Sequence, residues 1–378
     1  MDNRRESLKI LLESAAVPLP NRNLKEIVIY GAGNTGRELA RIAKDRGIRV
    51  GAFLDIRAED IREIKGIPCY LPDHKHSIAL ASKGIPVVLG VFNYMADPAS
   101  IRLILERAGF TSIISYFEIH ERFELPPHFW LGPRINLYQR RKEILDGLEF
   151  FEDSESRQVY HDHLALRLTF DCGLLSTPAI KTQYAPVDLA PIRQPIRLID
   201  GGAFVGDTVD FFLNQGFRME AVAAFEPDPP NFRKLVDASN RFTEKGIQTL
   251  LYPCGLGKVT TMLRFQGGHG EGSQLTESGD LHVQVLALDD VLPNFQPTLI
   301  KLDVEGAEPD ALYGARKTIH KGTPDLAVCV YHTPAHLWEI PRLIKELFAS
   351  YNFSLRSHRF NGFETVLYAN GRQVAGHG

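Results

Sequence analysis

The sequence predicts an α/β protein with two doubly wound parallel sheets: a smaller Rossmann-like one, then a larger one completed by an antiparallel hairpin. Three observations predict it. From residue 27, and again from residue 196, an apolar run enters a glycine-rich turn and then an amphipathic helix. In each unit an acid ends the next apolar run, Asp55 in the first and Glu226 in the second. Near the end of the chain, two β-rich runs flank Asn361-Gly362, a pair suited to a tight hairpin turn.

In the first unit, residues 27–30 read as a buried strand. Gly31-Ala32-Gly33-Asn34-Thr35-Gly36 forms the turn, and residues 37–46 form the helix, which Thr35 could cap. Strands at 49–54, 86–91 and 112–115 and a helix at 98–108 complete a small doubly wound domain over residues 1–118. Residues 119–195 break the pattern. Short helices there, one with Ser154 as N-cap, lead into a proline-rich extended run from Thr177-Pro178 to Pro195, read together as a bridge. The last domain, 196–378, alternates strands at 196–200, 221–226, 249–253, 299–303 and 326–331 with helices. An antiparallel pair, 261–265 and 281–286, is inserted before the fourth strand. Residues 353–358 and 364–368 form the closing hairpin.

Composition bounds the partners. With 378 residues and a net charge of -3, the chain offers no electrostatic case for nucleic acid or an anionic membrane. No run is long enough for membrane insertion. Cys69, Cys172, Cys254 and Cys329 lie far apart, which fits reduced thiols and a cytoplasmic setting better than disulfides or a zinc site. The N-terminus lacks the apolar run of a signal peptide. The exposed face of the bridge could serve homo-oligomerisation.

A parallel sheet finished by an antiparallel hairpin is the arrangement of class I methyltransferases. The last domain resembles the FkbM family of S-adenosylmethionine-dependent methyltransferases. The likeness rests on residues 200–208 (DGGAFVGDT), Phe225-Glu226-Pro227-Asp228, Leu288-Asp289-Asp290 and residues 300–308 (IKLDVEGAE), with weaker support from Val330-Tyr331-His332 and Gln183-Tyr184-Ala185-Pro186. It implies S-adenosyl-L-methionine as cofactor. Asp200, Gly202 and Gly206, with Asp207 and Thr208 beside them, would shape the pocket for its amino-acid end and sulfonium, and Glu226 would hold the ribose. Many relatives place an adenine-binding acid after the third strand. Here Pro253-Cys254-Gly255 stands there, so adenine recognition would fall to backbone groups. The first domain is similar to Rossmann-like domains of bacterial sugar-modifying enzymes through Gly31–Gly36, Phe53-Leu54-Asp55 and Gly66-Ile67-Pro68, which implies a nucleotide or nucleotide-sugar there. Its other reading is a packing or oligomerisation domain.

Methyl transfer from a sulfonium is an in-line displacement, in which positioning and exclusion of water do much of the work. A hydroxyl acceptor also benefits from a base. Asp303 and Glu305 follow the fourth strand and His332 the fifth, so the three are the catalytic candidates, with His332 as base. Each has a plainer reading. Asp303 could accept from the Gly306 turn, Glu305 could cap the next helix, and His332 could precede an N-cap at Thr333 with Pro334 at N1. No metal is required, although the same three residues could hold a divalent ion. Residues 266–280 read as a glycine-rich lid or a long hairpin tip, with Ser273 as the substrate contact and His269 a weaker one. His74/His76 and His161/His163 read as incidental pairs. The acceptor expected is a small molecule or glycan bearing a hydroxyl. A nitrogen acceptor, or a nucleotide-binding regulatory protein with a silent methyltransferase unit, are the alternatives.

Overall fold

Short apolar runs buried on both faces build two open sheets in separate parts of the chain. The computed structural model describes all residues except 1–2, 15–18, 20–23, 176–177, 267–273, 276–280 and 372–378, and only the backbone at 265–266, 274–275 and 281. The chain divides into two compact units. One comprises residues 1–145, 158–178 and 359–363, the other 146–157, 179–358 and 364–378. Residues 119–195, read from sequence as a bridge, are thus shared between the two.

The first unit holds β1 (Glu26–Tyr30), β2 (Arg49–Leu54), β3 (Glu63–Ile64), β4 (Ile67–Tyr70), β5 (Val87–Leu89) and β6 (Ile113–Ile114), in the order β3-β4-β2-β1-β5-β6. Ile27 and Ile29 enter one apolar cluster with Leu39 and Phe53. Val28 and Tyr30 enter another with Leu54 and Val87 on the opposite face. Two-sided burial is why β1 reads as a continuous apolar run. The β3–β4 hairpin was not expected. It turns on Lys65 and Gly66, at φ 50° and 81°, and its strands are too short to show a period. The helix after the glycine turn begins at Asn34, with Gly33 at its N-cap and no side-chain cap. Thr35 therefore lies inside the first turn and does not cap the helix.

The second unit carries β7 (Ile196–Gly201), β8 (Met219–Phe225) and β9 (Gln248–Tyr252). An inserted set follows: β10 (Gly255–Leu256), β11 (Thr261–Gln266), β12 (Gln274–Leu275) and β13 (Leu281–Leu286). Then come β14 (Leu299–Leu302), β15 (Asp325–Cys329), β16 (Asn352–Ser357) and β17 (Thr365–Asn370). The main sheet runs β16-β17-β15-β14-β7-β8-β9, and the insertion makes its own sheet, β10-β13-β11-β12. β17 is antiparallel to both neighbours, while β7 is parallel to β8 and β14. The connections after β7 and β14 diverge, which opens a crevice at the carboxyl ends of these strands.

Three local expectations need correction. Asp153, not Ser154, caps the helix Ser154–Thr169, since Ser156 N donates to Asp153 Oδ1 at 2.8 Å. The helix expected to open at Thr333-Pro334 is His336–Leu347, with Ala335 at its N-cap. The last hairpin is not a tight turn, because its ladder ends at Ser357 opposite Thr365. Asn361 and Gly362 do take the expected positive φ, 57° and 76°. They belong to the first unit, where Asn361 Nδ2 donates to the carbonyls of Asn93 (2.7 Å) and Ala96 (2.9 Å). No helix among the described residues is long and apolar enough to cross a membrane. All four cysteines are buried and free.

Candidate active site

The site grows from the end of β7. Asp200 is fully buried and pairs in register with Lys301 of β14. Lys301 Nζ lies 3.0 Å from Asp200 Oδ1 and donates to the Gly202 carbonyl at 2.6 Å. Burial pushes the Asp200 carboxyl up to about 6, more than Lys301 pulls it down. Burial alone would lower Lys301, but Asp200, Asp303 and Asp207 hold it firmly protonated. Asp200 Oδ2 has no protein hydrogen-bond partner among the described residues. Gly202 and Gly206 stand at φ 74° and 90°. A Cβ on Gly202 would sit 1.9 Å from the Asp303 carbonyl oxygen, and one on Gly206 would lie 3.1 Å from the Phe242 ring. The space that bare glycine leaves is therefore filled by protein, which packs the turn against the β14 loop. Gly206 caps the helix Asp207–Asn214, where Asp207 is exposed and Thr208 is buried.

Glu226 follows β8 and reaches back to that turn. Its Oε2 accepts from Phe204 N and its Oε1 from Asp228 N, both at 2.8 Å. Burial raises its carboxyl to about 7. Each oxygen keeps a further lone pair. Asp55 repeats the arrangement in the first unit, accepting from Ala32 N (2.8 Å) and Arg57 N (2.9 Å). After β9, Cys254 is buried and Gly255–Leu256 pair with β13, so no acid directly follows that strand. A buried carboxylate oxygen without a protein partner, one strand from an acid with spare acceptor capacity, fits a ligand bringing an ammonium group and vicinal hydroxyls.

Beyond β14 and β15 the carboxyl groups gather. Tyr184 Oη donates to Asp303 Oδ2 at 3.3 Å. His332 Nε2 lies 3.4 Å from Asp303 Oδ1 and 3.6 Å from Glu305 Oε2. Its Nδ1 meets Glu308 Oε1 at 2.8 Å. Glu308, fully buried, also accepts from Val304 N at 3.0 Å and faces His336 Nδ1 at 3.2 Å. Glu308 thus holds the β14 turn, the role left open in sequence for Asp303 and Glu305. Burial would raise Glu308, but His332 and His336 hold it well below the usual carboxylate range. Burial pulls His332 down, yet Glu308, Glu305 and Asp303 outweigh it and raise the imidazole to about 10. That charge state is opposite to the one a base needs. Burial, against the pull of His332, pushes Glu305 up to about 8.

The structure brings together Asp303, Glu305 and His332 as expected and adds residues that the sequence reading missed. Glu364 precedes β17. Its Oε1 accepts from Tyr331 Oη at 3.1 Å, and its Oε2 accepts from Gln183 Nε2. Four non-glycine residues at this edge, Tyr184, Phe204, Glu305 and Glu364, stand at positive φ of 67°, 48°, 52° and 51°. Each costs on the order of 1 kcal/mol, and such strain gathers at functional sites. Asp303, Cys329 and Glu364 place one potential ligand atom each within 4.8 Å of one another, a set different from the one read in sequence. Two protein cations, Lys301 and His332, already face Asp303. Ser273, His269 and most of the 266–280 segment lie outside the described residues. Of the incidental pairs, His74 and His76 stack on Tyr70, while His161 meets Asp162 and Ser7 and His163 is buried.

Residues 200–359 match the model of the Methyltransferase FkbM domain. Over that span the chain is similar to an FkbM methyltransferase domain. The matched span includes the β7 turn, Glu226 and the β14 and β15 loops, and does not reach Gly31–Gly36. A relative described as Methyltransferase 1, from Beauveria bassiana, is 25% identical over 187 residues, which cover 39% of this chain and 74% of that protein. A crystal structure of methyltransferase FkbM from Methylobacillus flagellatus superposes with a TM-score of 0.79 at 21% identity, over 97% of this chain and 99% of that one. At that identity the likeness bears on the fold, which is a class I methyltransferase fold joined to a further α/β unit. The match to the FkbM domain and the likeness to a methyltransferase support a methyltransferase function.

Proposed function

We propose that the chain uses S-adenosyl-L-methionine to methylate a hydroxyl on a sugar, glycoconjugate or secondary metabolite. When bound, the cofactor supplies an electrophilic methyl group on a positively charged sulfur. Asp200, through its unpartnered Oδ2, would accept from the cofactor's ammonium group, with Gly202, Gly206, Asp207 and Thr208 forming the turn around it. Glu226 would accept from the ribose hydroxyls. Asp303 and Glu305 would receive the acceptor. His332, as imidazolium, would orient both acids.

The observation that carries the oxygen acceptor is Glu305. Its side chain is 24% exposed, it stands beside Asp303, and its carboxyl is raised to about 8. A poor nucleophile such as an alcohol needs a carboxyl pair of this kind to take its proton, with Asp303 as the carboxylate that receives it. An amine acceptor would need positioning alone. Calorimetric titration with S-adenosylhomocysteine, wild type beside Glu226→Ala, tests the cofactor half. One-site binding weakened at least about tenfold in the variant is expected, roughly the loss of one hydrogen bond to a charged group. Absence of binding by the wild type would refute it. A panel of sugar hydroxyls and amines tests the acceptor half, and turnover on amines alone would overturn the oxygen assignment.

A further inference from the structure

We propose that Glu364 stores the proton released in methyl transfer, receiving it from Asp303 through the hydroxyl of Tyr331. This rests on the O-methyltransferase reading above. Tyr331 Oη lies 3.4 Å from Asp303 Oδ1 and 3.1 Å from Glu364 Oε1. A phenol carries one hydrogen, so it can donate to only one of these two carboxyl groups. Occupying both contacts takes a second hydrogen, held on a carboxyl group. The three oxygens therefore form a chain along which one proton can shift from Asp303 to Glu364.

The chemistry balances without another reactant. The acceptor O–H bond breaks as the new O–CH3 bond forms, and the S–CH3 bond breaks with its electron pair going to sulfur. The proton goes to Asp303. Asp303 then gives a proton to Tyr331 as Tyr331 gives its own to Glu364. Tyr331 need not ionise, and burial together with Asp303 and Glu364 raises it far above its usual range. Glu364 is partly exposed and can return the proton to water.

Glu364 is built for this position at some cost. It stands at φ 51°, and Gln183 fixes its second oxygen. From β14 and its loop it faces Asp303, Lys301 and Glu305, and from β15 and its loop Cys329, Tyr331 and His332. Tyr184 on the approach segment and Tyr368 on its own strand complete the charged and titratable surroundings. Burial and Asp303 raise its carboxyl to about 7, despite His332, Tyr331 and Lys301. Asp303 touches the acceptor in this scheme, and Glu364 acts through it.

Infrared titration of the full chain with S-adenosylhomocysteine tests the proposal. In the difference spectrum of wild type minus Glu364→Gln, the carbonyl stretch of a protonated carboxyl group should appear and fade with a midpoint near pH 7. Tyr331→Phe, which keeps the ring, should retain the band and move its midpoint upward. On an acceptor found by screening, Glu364→Gln should lower kcat about tenfold at unchanged cofactor affinity, with partial recovery in Glu364→Asp. Absence of that difference component, or a midpoint unmoved in Tyr331→Phe, would overturn the proposal while binding of S-adenosylhomocysteine stands. Failure to bind S-adenosylhomocysteine would instead reject the cofactor reading beneath it.

Discussion

His332 keeps its charge because three carboxyl groups outweigh its burial. Its folded pKa of about 10 lies above the ordinary 6.5. The pairing therefore stabilises the fold fully below pH 6.5 and loses its effect as pH rises toward 10. Thermal unfolding of wild type should weaken over that window, and His332→Gln should show a flatter dependence. An equal slope in both would mean that Glu308 does not hold a charged imidazole. Gly202→Ala is predicted to cost about 3 kcal/mol or more, since its Cβ would collide with the Asp303 carbonyl at a positive φ. A melting temperature unchanged from wild type would contradict the packing described at that turn. Single residues were legible where a motif named them. Lys301 was legible as a strand residue on the face of Asp303 and suited to a carboxylate partner, but sequence spacing did not name Asp200 as that partner. Glu308 looked like one more acid in its block, and only the fold shows that it takes the capping role.

At the level of elements, strands with long apolar runs were readable and the segments that brace them were not. Arg356 on β16 is buried. It donates to Asp188 Oδ2 at 2.8 and 2.6 Å and to Ser156 Oγ at 2.8 Å. Ser156 Oγ also accepts from Leu355 N at 2.8 Å. Residues 146–157 and 179–195 are thereby tied to the closing hairpin by a network with no periodic signature. Arg356→Met should destabilise the second unit by about 2 kcal/mol, part of the pairing being screened because Asp188 is 45% exposed. Chemical denaturation followed by tryptophan-independent circular dichroism would measure it. A change below a few tenths of a kcal/mol would mean that the network only decorates the hairpin. The glycine turn, the acid clamp and the β14 loop were legible because each lies within a few residues of one strand end. Glu364 and Tyr184 were not, because each arrives from a distant part of the sequence.

For the whole molecule, the alternation of strands and helices was legible in the sequence, but the chain's division was not. The boundary expected at residue 196 leaves out Asp153, Ser156, Gln183, Tyr184 and Asp188, all of which serve the second unit. A fragment of residues 196–378 is therefore predicted to lack cooperative unfolding and to bind S-adenosylhomocysteine much more weakly than the full chain. A fragment that melts cooperatively and binds as the full chain does would restore the simpler division.

The Asn361-Gly362 loop carries one more consequence. Asn361 satisfies the carbonyls of Asn93 and Ala96, and its own carbonyl accepts from the buried Trp130. These partners emerge from a ribosome long before residue 361 does. During synthesis the first unit has its sheet early but lacks these partners until almost the whole chain has been made. The unit begun first is completed last, and the nascent protein must keep those unpaired polar groups from other chains in the meantime.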